Sequence, residues 1–258
     1  MVYQFFHSQH PQGEAERCRK KNRKSGHRPD ALPIYMQISE LVIRDIAAGR
    51  LVDGQKLPPE RDFAKAHGTT VRTLRKALLE LEKKGLLERR QGSGNYVRAG
   101  GEVDSVYSMF RLELAQGGGG LPTADILSAD YLSKDSQQPA YGSSDHGTRF
   151  RRLRYLDDVI IAVEEIWLDG GAGKVPREMV QDSLYLTYKR ALQLWITRAE
   201  DRVGIGQVPD WAPEAFALKP GTTTAYIERL SWAQGSEAVE FSRTWYDTTK
   251  ALYVQRLI

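Results

Sequence analysis

Arg72, Thr73, Arg75 and Lys76 crowd into five residues, interleaved with Leu74, Ala77, Leu78 and Leu81 at spacings of three and four. That spacing places the apolar residues on one face of a helix and leaves Val71, Arg72, Thr73, Arg75 and Lys76 facing outward. Cationic and hydroxyl donors in the first turns of a helix can bond phosphates and base edges in a major groove, although an ordinary solvated face would carry the same residues. The next stretch favours the first reading. Leu86-Leu87-Glu88-Arg89-Arg90, Gln91-Gly92-Ser93-Gly94 and Asn95-Tyr96-Val97 read as strand, tight turn and strand. Glycine at the tip lets backbone approach a phosphate or a groove floor closely, with Arg89, Arg90 and Gln91 beside it.

A second group lies in Phe150 to Leu168, two β-rich runs around Asp157-Asp158. Alternate residues of a strand share a face, so Arg152 and Arg154 project together, as do Ala162, Glu164 and Ile166. Guanidinium forks suit phosphate and carboxylate, and inside an apolar sheet they must be paired or bind something. Mutual ion pairing would satisfy them equally well. His7, His10, His27, His67 and His146 form no H-x-x-x-H set and Cys18 is the one cysteine, so neither a metal site nor a cofactor is expected. A single cysteine also allows no intrachain disulfide, which suits a reducing compartment.

These residues need elements to hold them. A first helix is expected from about Pro33 to Ala48, with Ile34, Ile38, Leu41, Val42 and Ile46 on one face. A second should run from Pro59 to about Ala66, its first turn carrying Glu60 and Asp62. The third, bearing the basic set, starts at Thr69 or Thr70 as cap and ends at Gly85. Two helices around a tight turn, followed by a glycine-tipped hairpin, are the pattern of a winged helix-turn-helix. Further on, residues 103–115 suggest a helix, and the Gly117–Gly120 run a flexible turn, since no Gly-Lys-Ser/Thr follows to make a phosphate loop. Thr123–Leu132 is strand-like, Ser183–Leu192 a helix with Asp182 as candidate cap, and Pro213–Ala217 a short helix. Tyr226–Trp232, Ala238–Tyr246 and Ala251–Leu257 read as antiparallel strands.

Composition and charge set the boundaries. With 258 residues, 41% hydrophobic and 27% charged, the chain suffices for two cores. Residues 1–98 hold 20 Lys/Arg against 11 Asp/Glu, a formal +9, while residues 99–258 hold 17 against 22, a formal −5. A positive head on a negative body suits binding to a polyanion. Residues 1–30 lack periodicity and contain the basic run 17–24, which reads as a disordered arm. Residues 31–98 then form the winged domain, 99–105 a linker, and 106–258 the second domain. No secretory signal or membrane span is apparent, so a cytoplasmic location is expected.

The segment Leu57-Pro58-Pro59-Glu60-Arg61, with Thr73-Leu74-Arg75-Lys76-Ala77-Leu78 and Arg90-Gln91-Gly92-Ser93-Gly94-Asn95-Tyr96-Val97, resembles the DNA-binding domain of the GntR family of bacterial transcription regulators. The resemblance implies contacts to operator DNA from Arg61, Thr73 and Arg75, and a wing brought to the minor groove by Gly92 and Gly94. Thr70, Arg72, Arg90 and Gln91 complete the expected DNA-binding set. The chain departs from the family pattern at Pro59, where a serine cap is usual, and at Val71, where many members have arginine, so Arg72 reaches a different base or none.

Residues 106–258 resemble the UTRA effector-binding domain of HutC-type members, similar in fold to chorismate lyase. The matching stretches are Arg152-Leu153-Arg154, Asp157-Asp158, Glu164, Ser183-Leu184-Tyr185, Glu228-Arg229 and Glu240-Phe241-Ser242-Arg243-Thr244-Trp245-Tyr246-Asp247. The resemblance implies a ligand cavity lined by Arg152, Arg154, Glu164, Glu240 and Tyr246. The expected fold class is α+β, a winged head plus an antiparallel sheet with flanking helices. The expected function is a homodimeric regulator, a repressor released from double-stranded operator DNA by a small acidic or phosphorylated effector. The alternative is an enzyme with a lyase-like domain tethered to a DNA-binding head, but a fold alone does not carry chemistry. No Ser-His-Asp set is available, since no histidine follows His146.

Overall fold

The computed structural model describes residues 33–98, 107, 109–181 and 183–256. The basic run 17–24, the linker 99–105 and Asp182 lie outside the described residues. The head opens with α1 (Ile34–Ala47), which begins where the Pro33 carbonyl accepts from the amides of Met36 and Gln37. α2 (Glu60–Ala66) starts after Pro59 without a side-chain cap, as that proline requires. α3 (Val71–Lys83) is capped by Thr70, whose Oγ1 accepts from the Thr73 amide at 3.2 Å.

The apolar faces of the three helices meet in one core of Ile38, Val42, Ile43, Ile46, Ala64, Leu74, Leu78 and Leu81. Burying a leucine as completely as Leu74 stabilises by about 1.5–3 kcal/mol. The Ser39 hydroxyl donates to the Ala77 carbonyl at 3.1 Å, which ties α1 to α3. Val71 is not outward-facing: it is half-buried against this core. β1 (Leu87–Arg90) and β2 (Gly94–Val97) form the antiparallel wing, in register from Leu87↔Val97 to Arg90↔Gly94. Gly92, in the turn between them, has φ +73°, a conformation natural to glycine.

The body is a six-stranded antiparallel sheet in the order β4-β5-β6-β9-β8-β7. Its strands are β4 (Pro122–Ser133), β5 (His146–Leu156), β6 (Val159–Asp169), β7 (Arg198–Gln207), β8 (Thr223–Trp232) and β9 (Ala238–Tyr246). α4 (Leu184–Leu192) packs Leu184 and Tyr188 with Phe150, Ile166 and Leu168 of the sheet. Leu153, Val163 and Trp245, offset by one residue along their strands, join Val208 and Phe216 in a separate cluster.

Three expectations change. The helix expected over 103–115 is absent from the described residues of that range: Leu112–Leu114 is β3, paired antiparallel with β10 (Ala251–Tyr253). Met109, Phe110 and Leu114 pack against clusters of the sheet domain, so their apolar spacing records tertiary contacts instead of a helical face. The last strand stops at Tyr253 and pairs outside the main sheet. The cap of α4 is Ser183, whose Oγ accepts from the Leu186 amide at 3.3 Å.

Candidate functional site

In the head, Arg61, Thr70, Arg72, Arg75, Arg90, Gln91 and Gly92 are exposed, and Thr73 and Gly94 half-buried. Thr70 is engaged in capping, and its hydroxyl lies 2.9 Å from that of Thr73. Glu60, in the first turn of α2, joins the third helix to the wing. Its Oε2 accepts from Arg75 Nε at 2.7 Å, and its Oε1 from Arg89 Nη2 at 3.4 Å. The Nε bond orients the Arg75 guanidinium, while 61% of the side chain remains exposed. Arg90 bonds Glu88 through Nε at 3.0 Å and lies 4.3 Å from the centroid of the Tyr96 ring. The hydrogen bond from Arg90 holds the Glu88 carboxyl below its usual range, and Arg98 acts in the same direction. The surface combines the positive end of α3, hydroxyls, guanidiniums and a glycine-tipped wing, a set of donors suited to a phosphate backbone and to base edges.

The body holds a cavity over the face of the sheet that carries Arg152 and Arg154. Strand register brings the expected residues together. Arg152 of β5 pairs with Glu164 of β6, which pairs with Thr244 of β9, and Glu240 lies four residues back along β9 on the same face. Arg152 Nη2 donates to Glu164 Oε2 at 2.6 Å, and Arg154 Nε lies 3.5 Å from the same oxygen. Burial would raise the Glu164 pKa, but Arg154 and Arg152 overcome it and hold the carboxyl below its usual range.

Glu240 behaves oppositely. Burial is the largest influence and pushes its carboxyl up. Its Oε1 accepts from Ser231 at 2.9 Å and from the Tyr185 hydroxyl at 3.3 Å. The Tyr188 hydroxyl also bonds this carboxyl and acts against the effect of burial.

Tyr246 is not on the cavity wall. It continues the face of Glu240, Ser242 and Thr244, but at its level Leu112 and Ala251 cover the sheet, and Tyr246 packs with them, Leu156 and Ile227. Sequence reasoning also missed lining residues. Arg229 of β8 lies beside Ser242 in register and forks onto Asp201, Nε to Oδ1 at 2.5 Å and Nη2 to Oδ2 at 2.6 Å. Tyr185, at the start of α4, overhangs the cavity. Both stand within the matched motifs, yet neither follows the alternation of the β5–β6 hairpin that singled out Arg152 and Arg154. The segment Met109–Leu112, also lining, carried no signal.

Comparison with known proteins fits this geometry. Residues 34–97 match the family of bacterial regulatory proteins, gntR family, and residues 119–251 match the UTRA domain. The chain is 52% identical over 232 residues to the HTH-type transcriptional regulator SmoD of Agrobacterium fabrum, covering 90% of this chain and 99% of that one. This chain belongs to the gntR family. The HTH-type transcriptional repressor NagR of Bacillus subtilis is 24% identical over 228 residues, covering 86% and 94% of the two chains. The ligand-binding domain of a GntR-family transcriptional regulator from Bordetella bronchiseptica shares the fold, with TM-score 0.50 at 18% identity over 57% of this chain and 96% of its own. The chain is therefore a DNA-binding transcription regulator with an effector-binding UTRA domain, and the enzyme alternative finds no support.

Proposed function

We propose that the protein represses transcription as a homodimer in the cytoplasm and leaves its operator when a small acidic or phosphorylated metabolite enters the UTRA cavity. Arg61, Thr70, Arg72, Thr73, Arg75, Arg90, Gln91, Gly92 and Gly94 carry the DNA contacts. Arg152, Arg154, Glu164 and Glu240 carry those to the ligand, Tyr246 serving only the packing beneath. The protein acts by binding, without chemistry of its own.

The convergence of Arg152 and Arg154 on one buried carboxylate is the observation that carries this reading. Two guanidiniums facing one carboxylate leave an excess of positive charge there, which suits an entering anion. The repressor named among the relatives supports the direction of control. Ligand binding then shifts the heads between two arrangements by its differential affinity for them. A thermal-shift screen of sugar phosphates and small organic acids, repeated with operator DNA, tests it. A compound that raises the melting temperature and lowers operator affinity supports the reading; a set of stabilising ligands that are all neutral, or that leave operator binding unchanged, contradicts it.

A further inference from the structure

The chain leaving the head forms one wall of the cavity. Tyr107, Met109, Phe110, Arg111 and Leu112 all border it, and the Met109 carbonyl accepts from Arg229 Nη2 at 2.8 Å. Phe110 has two cationic neighbours from distant parts of the chain. The guanidinium carbon of Arg154, in the cavity, lies 4.7 Å from its ring centroid, and that of Arg44, on α1 of the head, lies 5.0 Å away.

Arg44 is a head residue seated in the body. It is 1% exposed, and its Nη1 donates to the carbonyls of Gly119 at 2.8 Å and Gly120 at 2.5 Å, its Nη2 to that of Leu112 at 2.6 Å. The glycine run is thus a socket. A Cβ on Gly119 would meet the Arg50 guanidinium, which would have to swing aside. Arg256 closes the seat, bonding Glu113 at 2.6 Å and the Ala48 carbonyl at 3.3 Å.

We propose that Phe110 couples the effector cavity to the DNA head, because its ring is shared by Arg154 and Arg44. An anion that engages Arg154 then tightens the seating of α1. One ring attracts both cations through its negative face while the cations repel each other. Burial above all, helped by repulsion from Arg50 and, least, from Arg154, lowers the Arg44 pKa to about 10 against the attraction of Asp45 and Glu113. A ligand anion paired with Arg154 screens that repulsion, and any displacement of Arg154 leaves the ring to Arg44. Both changes strengthen the hold on α1, so cavity occupancy and head placement are linked by a coupling free energy. This rests on the proposed entry of an acidic effector into the cavity, but the coupling can be tested without one.

Hydrogen exchange of the full-length protein, read by mass spectrometry, follows α1 through a peptide covering 38–51, with a peptide covering 74–81 of α3 as internal control. Arg154→Met removes the repelling charge and should slow exchange in α1 about threefold while leaving α3 unchanged, as expected for one contact of cation–π strength. In a Phe110→Leu background the same substitution should slow α1 clearly less, because only the repulsion and not the competition for the ring is then relieved. A Phe110→Tyr background, which keeps the ring, should retain the slowing and guards against loss of folding as the cause. No slowing in Arg154→Met, or equal slowing without the ring, overturns the coupling. Glucose 6-phosphate, used as the anionic occupant, should slow α1 in the native protein. If it does not while the mutant cycle holds, the coupling stands and the acidic-effector reading fails separately.

Discussion

At the scale of single residues, Arg75 and Arg154 carry the two halves of the account. Arg75→Ala should cost about 1–3 kcal/mol of operator affinity, whereas Lys83→Ala, at the far end of α3, should cost little at moderate salt. Gel-shift titrations of both variants decide this; equal losses would remove α3 from its reading role. Tyr246→Phe should leave effector affinity unchanged by calorimetry, while Glu240→Gln, which alters the cavity wall, should change it. Acid should weaken the body through Glu164 and Asp201. Glu164 is buried and Asp201 half-buried, yet their arginine partners hold both carboxyls below the usual range. A carboxyl depressed in the folded state contributes stability above its unfolded pKa and loses it as pH falls through the folded value. The melting temperature should therefore drop below about pH 4, the ordinary carboxylate range, and do so less steeply in Asp201→Asn. Arg152, Arg154 and Glu164 were legible in sequence by strand alternation because the β5–β6 register runs unbroken from Gly147 to Arg154 and shifts only after it. Tyr246 obeys the same alternation, and what removes it from the cavity is the β3–β10 ribbon above it, a non-local contact that alternation does not encode.

Among elements, the winged head was almost wholly legible, since its caps, glycines and apolar spacing are local signals read one turn at a time. The body was legible where strands alternate and obscure where they do not. β7 has a charged, glycine-containing sequence and leaves Val203 and Ile205 52% and 79% exposed, because it is an edge strand with no second neighbour to bury it. The glycine run shows the same limit. It holds no nucleotide motif, and its use emerges only when Arg44 of α1 and Arg50 of the bend after it arrive from about seventy residues away in sequence. Gly120→Ala, at φ +62° with its Cβ 3.0 Å from that of Leu156, should lower stability by about 1–3 kcal/mol in denaturant titration. Gly235→Ala, where a Cβ meets open space, should be near neutral. Equal effects would mean that the socket is not packed as described.

For the whole molecule, a positive head on a negative body divides the labour between DNA and effector, and a dimer would present two heads to a palindrome. Sedimentation of the full chain should give a dimer at micromolar concentration, and a monomer there would confine the symmetry to the DNA complex. The central claim is that the cavity containing Arg154 controls the operator affinity of the head. Its most direct test is operator binding by fluorescence anisotropy, for the native protein and Arg154→Ala, with and without the metabolite that most raises the native melting temperature. The native protein should lose at least about tenfold in affinity on adding the metabolite, within the usual range of allosteric coupling, while Arg154→Ala, which lacks both the ligand's partner and the charge that repels Arg44, keeps whatever operator affinity it has and does not respond. Release of Arg154→Ala by the same metabolite concentration, or a native protein that stays bound, would contradict it.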